Sequence, residues 1–144
     1  MRPAHLSSTA LIGLLLSVAL ACDASKPEFA DGDTVIIAST LAAETVTNRH
    51  EFAVTKSGTV EARLTVLTVS DPGTGEFPET PFLALQLGRP AEETCSTTRT
   101  EFLEQGQSFT VFLESRVYCL QVSRSAALPA DSMIDYTIRI ASHF

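Results

Sequence analysis

The feature that most restricts this chain is a period of two in its apolar residues, sustained from about residue 34 to the end. In "GTVEARLTVLTV" Val60, Ala62, Leu64 and Val66 fall on one face while Glu61, Arg63 and Thr65 fall on the other, the pattern of a half-buried strand. The apolar phase then moves to Leu67 and Val69, which predicts a β-bulge near Val66 and Leu67, and "DPGTG" at 71–75 ends the strand with turn residues. The same alternation returns at Leu83, Leu85 and Leu87, at Phe109, Val111 and Leu113, at Tyr118, Leu120 and Val122, and at Ile134, Tyr136, Ile138 and Ile140. With "TVIIASTLA" and "HEFAVT" ahead of them, seven to eight strands follow one another without a 3.6-residue stretch. The expected class is all-β, an antiparallel β-sandwich over residues 34–144.

The N-terminus belongs to a different category. Arg2 and His5 precede "LIGLLLSVAL" and the triplet Ala19, Leu20, Ala21, the layout of a secretory signal over residues 1–21. The run is about half of the roughly 20 apolar residues needed to cross a bilayer. Ala19 and Ala21 satisfy an ordinary A-x-A cut, and "ALAC" resembles a bacterial lipobox, with Ala19 in the slot where that pattern prefers Leu. This resemblance implies that Cys22 is the lipid-attachment residue and that residues 22–33 are a short tether, at most about 40 Å long when stretched. The thiol count agrees: Cys95 and Cys119 are the other two cysteines, and in an exported chain they pair to close a loop worth about 3 kcal/mol. An ordinary secreted protein with Cys22 as a spare thiol is the alternative.

About 120 residues remain after the signal, enough for one domain with a real core. The formal charge of −7 for the whole chain disfavours nucleic acid and supplies no basic stripe for an anionic membrane surface. Catalytic signatures are missing from the sequence: His50 and Glu51 are followed by "FAVT" rather than by a metalloprotease motif, and no nucleophile elbow, phosphate loop or dinucleotide fingerprint occurs. No catalytic residue is assigned, and His50 is expected polar side out at the start of a strand. His50 and His143 with two isolated thiols make no zinc pattern. The candidate metal ligands are Glu28, Asp31 and Asp33 around Gly32, carboxylates suited to calcium; a solvated Asp-Gly turn is the alternative there, and no other cofactor is expected.

Taken in order, "HEFAVTKSGTVEARLTVL", "FLALQLGRP" followed by "TCS", "GQSFTVFLESRVYCLQV" and "IDYTIRI" resemble the bacterial pre-peptidase C-terminal (PPC) domain and its relatives across roughly residues 48–141. That resemblance implies a jelly-roll-like sandwich, associated beside secreted peptidases with export, solubility or adhesion to a matrix, and no catalytic residue. Collagen-binding relatives carry calcium near the N-terminal linker. The chain departs from the family where a glycine usually precedes the Tyr-Cys strand: it reads Ser115, Arg116, Val117.

These readings converge on a non-catalytic bacterial envelope lipoprotein, exported and anchored in the membrane through Cys22. Its sandwich is expected to act as a protein- or matrix-interaction module facing an envelope protein or an extracellular polymer. The competing expectation is a secreted or periplasmic carbohydrate-binding sandwich. That alternative is weakened by the absence of Trp and by Tyr118 and Tyr136 lying in phase with apolar faces; Phe77, Phe82 and Phe102 lie near turns, where partial exposure is the other reading, but a core of this size needs its phenylalanines. Glu61, Arg63, Arg124, Arg139 and the Thr-rich "CSTTRTE" are expected to form a mixed polar surface.

Overall fold

Alternating side chains produce strands with one wet and one dry face, and two such sheets close on each other. The computed structural model describes residues 34–70 and 80–143, with the backbone of residues 28–29. Among them the strands are β1 (Glu28–Phe29), β2 (Thr34–Leu41), β3 (Thr47–Val54), β4 (Gly58–Ser70), β5 (Phe82–Ala91), β6 (Thr94–Glu104), β7 (Ser108–Leu113), β8 (Arg116–Arg124) and β9 (Met133–His143). The four-stranded sheet has the order β2-β9-β4-β7 and the five-stranded sheet β1-β3-β8-β5-β6. Pairings are antiparallel except β1 with β3, where Glu28 and Phe29 of the segment assigned to the tether lie beside Ala53 and Val54.

From β2 onward, successive strands alternate between the sheets except for the β5–β6 hairpin. Counted from β2, the orders are 1-8-3-6 and 2-7-4-5, the arrangement of a jelly roll with two Greek keys. The inner faces supply one core that includes Leu41, Phe52, Leu64, Leu85, Leu120, Ile134, Tyr136 and Ile138. Phe52 and Tyr118 stack within it, with ring centroids 6.0 Å apart.

The bulge expected in β4 lies earlier than the sequence indicated, between Leu64 and Val66. Thr65 is the extra residue, and its hydroxyl donates to the Thr137 carbonyl at 3.0 Å. Val66 therefore turns outward, 41% exposed, and Leu67 takes the core position. The backbone freed by the bulge is satisfied by the β6–β7 turn: Leu64 donates to the Gln107 carbonyl and Gly106 to the Leu64 carbonyl, while Leu67 donates to Gln105 Oε1 at 3.1 Å. Where the PPC-like pattern has a glycine before β8, side chains hold the turn. The Ser115 hydroxyl donates to the Thr55 carbonyl at 2.8 Å, and the Glu114 N–H donates to Tyr118 Oη at 3.0 Å.

Candidate interaction surface

The outer face of the five-stranded sheet is laid out by strand register in rows that run from β3 through β8 and β5 to β6. Thr47, Ser123, Ala84 and Phe102 make one row, and Arg49, Gln121, Gln86 and Thr100 the next. Gln121 Nε2 donates to Gln86 Oε1 at 2.9 Å across the second row. The third row holds Glu51, Cys119 and Gly88, and there the sheet stops being open. A bulge between Leu87 and Gly88 displaces β6, and the far half of the β5–β6 hairpin folds back over the face.

Two links hold that fold-back. Cys95 and Cys119 are joined by the expected disulfide although β5 separates their strands; their Cα atoms are 5.9 Å apart, where strands two apart in a flat sheet stand about 9.5 Å apart. Arg49 reaches the hairpin tip, donating to the Glu92 carbonyl at 3.0 Å while also pairing with Glu51 at 2.5 Å. Gly88 lies under the crossing: a Cβ there would sit 2.1 Å from the Ser96 carbonyl oxygen and 2.9 Å from the Thr97 Cα. Only a residue without a side chain allows β6 to pass this close.

Among the described residues the other end of the same face is open. Phe82 and Phe102 point outward there, because Leu83 and Leu103 between them and the core take the inward positions. Phe102 is 64% exposed. The rings meet edge to face at 5.9 Å with an interplanar angle of 87°. Glu104, directly opposite Phe82 in the register, completes a shallow groove with the two rings. Ala84 beside Phe102 leaves the approach low.

The two seams between the sheets are closed by polar side chains. On the β2–β3 side, His50 Nε2 lies 2.8 Å from Tyr136 Oη. Asn48 Nδ2 donates to Tyr136 Oη at 3.1 Å, to Ser39 Oγ at 3.3 Å and to the Thr40 carbonyl at 2.9 Å. Burial lowers the His50 pKa from its ordinary value and raises that of Tyr136, the bonds from Asn48 and Ser39 working against the latter shift. His50 thus points into the sandwich, correcting the outward placement expected from sequence. Tyr136 is 1% exposed, and this network joins the sheets. On the β6–β7 side, the Arg99 guanidinium lies 5.2 Å from the Phe109 centroid and donates to the Thr110 carbonyl at 3.0 Å.

Arg124, expected on the polar surface, is instead the hub of the loops. Its five N–H groups meet Thr45 O, Pro129 O, Ser132 Oγ, Ala42 O and Ser132 O at 3.3, 2.6, 2.8, 3.0 and 2.9 Å. This uses the whole donor inventory of a guanidinium and locks the β2–β3 connection to the β8–β9 connection. Glu61, Arg63 and Arg139 do lie on an outer face, that of the four-stranded sheet, where Arg63 pairs with Glu61 at 2.9 Å.

Cys22, Asp31, Asp33 and Phe77, like the residues 1–21 read as a signal, lie outside the described residues, and Glu28 is described only as backbone. Among the described residues no group of three or more His, Cys, Asp or Glu is placed to hold a metal. The sequence reading missed Gly88 and Glu104, and it favoured the core for Phe82 and Phe102 where the structure turns both outward, because β6 was not recognised as a strand. The signal was present in "EFLE": adjacent Phe102 and Leu103 on a strand must face opposite sides.

No family model matches the chain, and no curated protein matches it. Among solved structures, the chain is similar to PliG of Aeromonas hydrophila, described as a periplasmic lysozyme inhibitor of g-type lysozyme. The identity is 7%, the match covers 83% of this chain and 96% of that chain, and the TM-score is 0.47.

Proposed function

We propose that this chain is a non-catalytic interaction module of the bacterial envelope, tethered through a lipid on Cys22, which contacts a protein partner with the open end of the five-stranded sheet. The observation that carries this reading is the outward Phe82–Phe102 pair beside Glu104. Paired exposed aromatics with a polar rim are what protein interfaces use as anchors, and a lone exposed apolar residue is not. The Cys95–Cys119 bridge supports an oxidising compartment, and the resemblance to PPC domains supports an adhesive role. The ring geometry favours protein over polysaccharide, since two rings at 87° cannot both lie flat under one sugar chain.

Two measurements test the reading. A photoreactive side chain introduced at position 102 and illuminated in intact cells should yield a discrete higher-mass adduct, and the same group at position 36 on the opposite face should yield none; no adduct from 102 contradicts the interaction role. The tether is tested by the intact mass of protein purified from membranes. A chain starting at Cys22 with added acyl mass is expected, and an unmodified soluble chain rules the anchor out.

A further inference from the structure

We propose that the corner formed by Phe82, Phe102 and Glu104 receives a cationic side chain of the partner, a lysine or an arginine; this rests on the interaction role argued above. On the strands, glutamates are neutralised locally. Glu51, Glu61 and Glu101 each hold an arginine two residues away on the same strand face, at 2.5, 2.9 and 2.7 Å. Glu104 breaks the pattern. The positions two residues away are Phe102 and Gly106, so the same spacing supplies a ring and a turn instead of a guanidinium, and among the described residues no cation reaches its carboxylate.

The ring geometry complements that missing charge. In an edge-to-face pair one π face is left open beside the other ring's edge, and an ammonium or guanidinium is drawn to such a face by the ring quadrupole. The carboxylate of Glu104, opposite Phe82 in the register, then lies within reach of the same cation. A chain of net charge −7 adds a long-range field that brings cations in. An apolar partner residue would leave Glu104 beside it without a counter-charge. A basic one with an aliphatic stem covers the rings and answers the carboxylate together.

The test uses the folded protein and capped tripeptides carrying one arginine, one lysine or one citrulline between serines, followed by the NMR shifts of the Phe82 and Phe102 ring protons. The arginine and lysine peptides should shift both rings saturably and the citrulline peptide should not. Glu104→Gln should weaken the arginine peptide by roughly tenfold, Phe102→Leu should do likewise, and Glu61→Gln on the opposite face should have no effect. Equal response to citrulline, indifference to Glu104→Gln, or ring shifts produced by chitohexaose and not by basic peptides would overturn the assignment. The two readings fail separately. A photo-adduct at 102 without a peptide response removes the cation and keeps the partner, whereas a peptide response without an adduct keeps the corner's chemistry and removes the protein partner.

Discussion

The two outer faces of the sandwich expose comparable apolar side chains and use them differently. On the four-stranded sheet Ile36 stands opposite Arg139, Val66 opposite Thr137, Met133 opposite Ser70 and Phe112 opposite Thr59, so every exposed apolar residue has a polar cross-strand neighbour. On the five-stranded sheet Phe102 stands opposite Ala84 and packs on Phe82, while the folded hairpin covers the far end of the same face. Exposure itself therefore does not mark a site. Phe112 is 67% exposed and Phe102 64%, and what separates them is the company each keeps. Scattered apolar residues are ordinary surface, whereas a clustered pair beside a carboxylate that no cation reaches among the described residues is the feature on which the proposed contact rests.

The sharpest way to break the contrast is to remove the fold-back that closes one end of the five-stranded face. Gly88→Ala places a methyl against the β6 backbone, and backbone cannot yield as a side-chain tip would. A loss of about 3 kcal/mol is expected in urea unfolding, together with a Cys95–Cys119 bridge that fails to form in part of the never-reduced protein, read as alkylatable thiols at both positions. Full stability and an intact bridge would mean that the crossing is less tight than described.

Next in size is Arg124→Lys. Three ammonium donors cannot replace five guanidinium N–H groups in their fixed fork, so several loop carbonyls lose their partner, at a cost of about 2 kcal/mol. Because Arg124 serves the loops and neither outer face, the variant should keep the ring-proton response at Phe82 and Phe102.

A smaller effect separates the seams from the faces. The folded-state pKa of His50 is lowered by burial, so below about pH 6.5 the unfolded chain takes up a proton that the folded chain resists. The stability from this residue is present above the unfolded value and is lost as pH falls through the folded one. His50→Gln should flatten stability against pH in that acid window. An unchanged slope would show that the His50–Tyr136 link is not a titrating contact.

Much of this architecture was legible in the chain because buried strands write their own period. The core positions of β5, β8 and β9 are the alternating residues, and the pairing of Cys95 with Cys119 was expected once Cys22 was assigned to a lipid in a chain read as exported. What escaped has a common physical cause. Strand β6 carries Arg99 and Glu101 on its inward side because an edge strand reaches past the core into solvent, so its hydrophobic period disappears. The inward turn of His50 was hidden likewise, since a seam accepts polar residues that a core centre would reject. The fold-back over Gly88 depends on a backbone approach that no side-chain pattern records.

Whether the open end of the five-stranded sheet is the recognition surface is tested most directly in cells. Phe102→Ser and Ile36→Thr change exposed residues on opposite faces, and each should alter stability by no more than about 0.5 kcal/mol. With a photoreactive side chain at position 100, beside Phe102 on the same face, illumination in cells should give an adduct that Phe102→Ser abolishes and Ile36→Thr leaves intact, at unchanged Tm in both. An adduct that survives Phe102→Ser, or is lost equally with Ile36→Thr, would contradict the assignment of this face.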